Sequence, residues 1–230
     1  MLRVRSTDSD ELAAALHGSR ALPPAVLDAA DPADVYPIES LVPRTVLSSL
    51  NTRHLLKTAS QGDLGKALRL PPHSSSWLLP RLWQTVQTAQ NDAGSTSTAT
   101  ERVRVGYYVS LLLNFRRHAR ALNRGEDGVA AVADKMRLPD HERDIVMEHL
   151  VAQFAEQARG SHRYVTRALS QLTLSASVTA TGETRLLAHI LVLALHLDDF
   201  SVAPQPLAQE LGVPVSRYVF GICPIDTQGK

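Results

Sequence analysis

Cysteine is almost missing from this chain: Cys223 stands alone, so no intramolecular disulfide framework and no cysteine-rich zinc site can form. That fits a reducing, intracellular compartment. An excess of charge is missing too, since 24 Lys and Arg face 23 Asp and Glu for a formal net charge of +1. A chain coated in cation is thereby excluded, and any nucleic-acid binding has to come from a local patch. Long apolar runs are absent. The longest, Leu186 to Leu197, is interrupted by His189 and His196 and is too short to cross a bilayer, so no membrane partner is expected. The opening MLRVRSTDSDELAAALHG has no apolar core of a signal peptide, and Asp8, Asp10 and Glu11 argue against an acid-poor transit peptide. Catalytic signatures are lacking as well: there is no Gly-x-Ser-x-Gly, Walker A, HExxH or GxGxxG.

What remains is an ordinary globular composition, 44% hydrophobic and 20% charged over 230 residues, enough for one large domain or two small ones. Two small domains are expected. Charge is uneven along the chain: net −4 over 1–40, +4 over 41–98, +4 over 99–137, −1 over 138–182 and −2 over 183–230. An acidic leader and a basic centre nearly cancel in the total while leaving a usable local field.

Residues 1–33 are expected to be a flexible leader with one weak helix around Glu11 to Leu16. Residues 34–90 form a helical region packing on the first unit, with short helices Pro43 to Leu50, Thr52 to Thr58 and Gly62 to Leu70. Trp77, Leu78, Leu82 and Trp83 gather around Pro80, which forces a helix start; both tryptophans are read as core. The small polar stretch Asn91 to Ala99 is the best linker. Residues 99–182 are expected as a first winged helix. Its helices run Thr100 to Asn123, with Val103, Tyr107, Leu111 and Phe115 on one buried face, then Glu126 to Met136, then Pro139 to Ala158 with Ile145, Val146, Leu150, Val151 and Phe154 at core spacing. Tyr164 to Thr166 and Leu172 to Thr181 can be its wing strands, although Ala168 to Leu174 could equally be helical.

Residues 183–226 give the plainest signal. A helix Glu183 to Leu197, a β-prone Phe200 to Val202, helices near Pro204 to Leu211 and Pro214 to Phe220, and a strand at Ile222 to Ile225 follow the winged-helix order. The fold class is therefore mainly α, a tandem winged helix with short β wings behind a small helical region. Such a core presents a helix to nucleic acid or to a protein.

The chemistry follows the same lines. His189 and His196 with Asp198 and Asp199 look like a metal cluster as text, but seven helical residues separate the imidazoles by about 10.5 Å, too far to share one ion. Neither a metal nor another cofactor is expected. His141-Glu142-Arg143-Asp144 resembles a kinase loop only by chance, lacking the downstream Asn and a phosphate loop; its acids suit a helix start. Cys223, on a predicted strand, reads as a packed thiol. No enzyme is indicated. The basic features are better: Arg116, Arg117, Arg120 and Arg124 lie near one helix end, and Lys135 and Arg137 in the turn leading to the helix that carries His141 and Arg143; of these, Arg116, Arg117, Arg120, Lys135, Arg137 and Arg143 are the expected phosphate contacts. Arg163 and Arg167 with His162 would flank a wing, and Arg217 would project from the last helix, as secondary contacts. The alternative is a solvated face whose cations complement a helix C-terminus.

Asp34-Val35-Tyr36-Pro37-Ile38-Glu39-Ser40-Leu41-Val42-Pro43, then YYVSLLLNFRRHAR, LLAHILVLALHLDDFSV, PLAQELGVPVSRY and FGICPI resemble the tandem winged-helix half of the RNA polymerase I-specific subunit family related to TFIIE, the forty-nine-kDa subunits. The likeness spans roughly residues 34–225 and is most specific over Leu186 to Leu211. It implies a nuclear, nucleolar, non-catalytic polymerase subunit that joins the RNA polymerase I core subunits, binds duplex DNA with weak sequence preference, and supports initiation and elongation on ribosomal RNA genes. Two departures stand out. Residues 1–33 do not resemble the family's N-terminal dimerisation barrel, and Ile222 separates Gly221 from Cys223 where the family usually has them adjacent. A protein-binding winged-helix scaffold without DNA contact is the alternative.

Overall fold

A computed structural model of the chain describes residues 23, 25–26, 28–68, 76–91, 96–124, 127–157 and 176–214, with the side chains of 96, 97, 124 and 157 outside that description. Short helices α1 (Pro32–Val35), α2 (Ile38–Leu41), α3 (Arg44–Ser49) and α4 (Gln61–Ala67) come first, followed by α5 (Leu78–Asn91) and the long α6 (Thr96–His118). A 3₁₀ turn (Ala119–Arg124) leads to α7 (Gly128–Met136) and α8 (Asp140–Phe154). Strands β1 (Glu156–Gln157) and β2 (Ala176–Ser177) pair antiparallel, Glu156 opposite Ser177, before α9 (Ala180–Leu197) and α10 (Pro204–Leu211). The fold is mainly α.

Helix α6 is the axis. From Val103 to Phe115 every residue but Arg104 is buried, Ser110 and Asn114 included, because α5, α7 and α9 pack around it. The four-residue step from Val103 to Phe115 marked only one of its faces; a helix apolar nearly all round is an interior helix. The buried apolar residues form one cluster running from Leu41 to Leu211. Each fully buried Leu or Val in it contributes about 1.5–3 kcal/mol.

Local chemistry sets the ends of the elements. Thr179 caps α9, its Oγ1 accepting from the Gly182 N–H at 3.2 Å, so that helix starts three residues ahead of the expected Glu183 and takes Ala180 and Thr181 out of any strand. Pro204 opens α10 and Gly212, at φ 61°, closes it, with the Val213 N–H reaching back to the Ala208 carbonyl. Between α7 and α8, Arg137 takes the left-handed conformation at φ 51° and Pro139 starts the next helix, giving a three-residue turn.

Several expectations are corrected. Phe200 to Val202 is no strand: Asp199 and Phe200 both have positive φ and form a turn after α9, closed by Phe200 N–H to the Leu195 carbonyl. Pro43 precedes α3 as its cap, Thr52 to Thr58 is a single turn rather than a helix, and α7 and α8 begin later than expected. The Asn91 to Ala99 linker is shorter than expected, since Asn91 ends α5 and Thr96 starts α6. Ile145 faces solvent at 43% exposure, while its neighbours Val146, Leu150, Val151 and Phe154 are buried. Pro80 falls in the first turn of α5, where a missing N–H costs nothing, and Trp77 is fully buried with Trp83 packed against the core. The expected helix at Glu11 to Leu16, the strand at Tyr164 to Thr166, nearly all of the Pro214 to Phe220 helix and the strand at Ile222 to Ile225 lie outside the described residues.

Candidate nucleic-acid interface

The last turn of α6 carries Arg116, Arg117 and His118, the two arginines being cations at the helix end whose partial charge is negative. Arg116 is drawn inward. Its guanidinium donates to the Leu211 carbonyl at the end of α10 and to Glu183 Oε1 at 3.0 Å in the first turn of α9, and its side chain is 24% exposed. This arginine therefore ties three helices together. Arg117 and Arg120 are exposed, and with Asn123, Val178 and Glu183 they border a groove of about 400 Å³ between the 3₁₀ turn and the start of α9.

The α7–α8 turn adds to this surface. Lys135 and Arg137 are both exposed. Burial, then the charges of Arg117 on α6 and Lys135 on α7, hold the His118 imidazole below its ordinary range. Arg143 is placed otherwise: it is ion-paired with Asp134 of α7 and bridges the two helices. His141 is exposed beside Glu142. Arg163, Arg167 and Arg217, with His162 and Cys223, lie outside the described residues, as does the Arg124 side chain. Thus the structure leaves Arg117, Arg120, Lys135 and Arg137 exposed, a cationic ridge in outline around the end of α6 and the α7–α8 turn, and gives Arg116 and Arg143 bridging positions.

Sequence reasoning missed Glu142. It is fully buried, accepting from the Asn51 N–H at 2.7 Å and the Tyr107 hydroxyl at 2.8 Å, and so fastens the N-terminal region to α6 and α8. A glutamate inside the first turn of a helix looks like dipole chemistry in sequence; only its long-range partners reveal the other role. Missed too were Arg81, paired with Asp198, and Arg102, paired with Asp199 at 2.9 Å, which anchor the end of α9. The exposed face of α8 was also not foreseen: Asp140, Asp144 and Glu148 recur at four-residue steps beside Ile145.

The two histidines of α9 turn to different partners. His189 Nδ1 lies 2.8 Å from the Arg185 carbonyl and its Nε2 3.3 Å from Gln153, while His196 Nε2 is 2.7 Å from the Tyr36 carbonyl. No group of three or more His, Cys, Asp or Glu able to hold an ion occurs among the described residues. No described helix is long and apolar enough to cross a membrane.

A family model described as A49-like RNA polymerase I associated factor matches residues 3–219. The DNA-directed RNA polymerase I subunit RPA49 of Saccharomyces cerevisiae is 28% identical over 203 residues, covering 87% of this chain and 42% of that protein. Its Schizosaccharomyces pombe counterpart is 24% identical over 208 residues, covering 90% of this chain and again 42% of the relative. The chain thus spans less than half the length of the curated relatives it matches.

Proposed function

The chain belongs to the A49-like RNA polymerase I associated factor family, and on that premise we propose that it is a non-catalytic accessory subunit of RNA polymerase I, working in the nucleus. In this reading it associates with the polymerase core subunits and contacts duplex DNA through backbone phosphates, supporting initiation and elongation of ribosomal RNA transcription. The relatives named as polymerase I subunits support the first part. The carrying observation for the second is the exposed ridge of Arg117, Arg120, Lys135 and Arg137.

The winged-helix assignment belongs to the same proposal. Helices α7 and α8 joined by the Arg137-Leu138-Pro139 turn, with the β1–β2 ladder behind them, have the element order of a helix-turn-helix with a wing, and α9 and α10 open a second such unit. In the first unit α8 would be the recognition helix. Asp140, Asp144 and Glu148 on its exposed face would repel phosphate, so DNA is met by the ridge from α6 and α7 rather than by α8 in a groove. Contact through phosphates alone predicts little sequence preference.

The acids and Ile145 on α8 favour a second reading, a scaffold that binds only protein. Fluorescence anisotropy with mixed-sequence duplex DNA separates the two. DNA contact predicts weak, sequence-indifferent binding whose log affinity falls with log salt by about 0.9 per phosphate contacted. The Arg117→Glu, Arg120→Glu, Lys135→Glu variant then loses about two to three of that slope. Undiminished binding by the folded variant removes the assignment.

A further inference from the structure

We infer that the phosphate-binding surface does not stop at α7 but continues onto the turn at residues 51–58, where Arg53 and Lys57 form a second contact point for the same duplex. The inference rests on the DNA-binding reading of the ridge and extends it to a part of the chain in which no site residue was foreseen.

The stretch Asn51-Thr52-Arg53-His54-Leu55-Leu56-Lys57-Thr58 holds two permanent cations and no acid. Its backbone is pinned from several directions. The Asn51 N–H donates to buried Glu142, Asn51 Oδ1 accepts from the Arg53 N–H at 3.1 Å, and the Leu55 and Leu56 N–H groups both reach the Thr52 carbonyl to close one turn. Gln90 of α5 donates to the Leu56 and Thr58 carbonyls at 2.8 and 3.1 Å. Leu55 is fully buried while Arg53 and Lys57, two residues to either side of it, are exposed. A pinned turn presents its charges with little ordering cost when a polyanion arrives.

The turn is also continuous with the ridge. The His54 ring stands edge-on to Tyr107 of α6 at 5.8 Å, and His54 shares a groove of about 200 Å³ with Asn114, Met136 and Arg137. Arg137 thus faces the turn across that groove. One helical turn beyond Asn114 comes Arg117, which with Lys135 acts on His118. Exposed cations therefore stand on both sides of that groove, Arg53 and Lys57 on the turn that carries His54 and Arg137 on the other side, with Lys135 two residues before Arg137. Lys66 nearby is offset by Asp63 at 3.4 Å and is not needed.

Anisotropy titrations of the full chain on one mixed-sequence duplex, repeated over a range of salt, test this. Three proteins are compared: wild type, Arg53→Gln/Lys57→Gln, and Arg117→Gln/Arg120→Gln, each checked for an unchanged circular dichroism spectrum and melting temperature. The circular dichroism and melting controls separate a lost phosphate contact from a lost fold. The expected result is that both variants bind more weakly and that each loses close to two from the slope of log affinity against log salt. If the 53/57 variant keeps the wild-type slope while the 117/120 variant loses it, the extension is overturned and the ridge stands. If wild type shows no salt-dependent binding, the DNA reading itself fails and takes the extension with it.

Discussion

Glu142 accepts two hydrogen bonds from residues far away in sequence, and both donors lose that acceptor if the side chain is shortened. A buried donor left without its acceptor costs about 1–3 kcal/mol, so Glu142→Ala should lower unfolding free energy by about 2–4 kcal/mol in urea denaturation. Ile145→Ala, three residues along the same helix but solvent-facing, should stay within about 0.5 kcal/mol. A loss below 1 kcal/mol for Glu142→Ala would contradict the anchoring role. The histidines of the α6–α8–α9 contact make a different prediction. Burial, with a smaller push from His189, takes His149 down to about 4. Burial also lowers His189, against the opposing hydrogen bond to the Arg185 carbonyl. His149 Nε2 meets the Tyr108 hydroxyl at 2.9 Å, and burial drives that phenol far above its usual range, so it stays protonated. The folded chain therefore holds these imidazoles neutral where the unfolded chain, at the ordinary 6.5, takes up protons. Stability is untouched above that value, declines as pH falls from about 6.5, and for His149 stops declining near 4. Melting temperature should fall between pH 7.5 and 5, and His149→Gln should reduce the fall; equal falls in both proteins would count against it.

At the scale of elements, the junction between α8 and α9 is set by a close approach. A Cβ at Gly182 would sit 2.3 Å from the Phe154 carbonyl oxygen, a backbone atom that cannot rotate away. Gly182→Ala should therefore destabilise by about 1–3 kcal/mol despite favouring the helix by propensity. A gain in melting temperature would show that α8 and α9 do not meet as described. Which elements could be read from sequence follows from where their signals lie. Helix α10 was legible at both ends because Pro204 and Gly212 punctuate it locally. The turn at Asp199 and Phe200 was not, since β-prone residues there obey the hydrogen bonds of the preceding helix end. The full burial of α6 depends on three other helices, which no local period encodes. At the site, the cationic cluster could be read by charge counting, yet counting could not tell that Arg116 and Arg143 bridge to Glu183 and Asp134 on neighbouring helices.

Over the whole molecule a total charge of +1 hides separate groups of exposed charge among the described residues, the cations Arg117, Arg120, Lys135 and Arg137 around the end of α6 and the α7–α8 turn, and the acids Asp140, Asp144 and Glu148 beside Ile145 on α8. In the proposed reading the cations meet the nucleic acid and the acids with Ile145 meet a protein assembly. Reversing Asp144 and Glu148 to lysine should weaken attachment to the polymerase without weakening duplex binding by the isolated chain, a pair of effects that competition pull-downs and anisotropy can read separately. The most direct test of the account is affinity purification of the tagged chain from native extract, with the co-purifying large subunits identified by mass spectrometry. The large subunits of RNA polymerase I should be recovered with wild type and with the Arg117→Gln/Arg120→Gln variant alike. Recovery of another polymerase's large subunits, or of none, would contradict it.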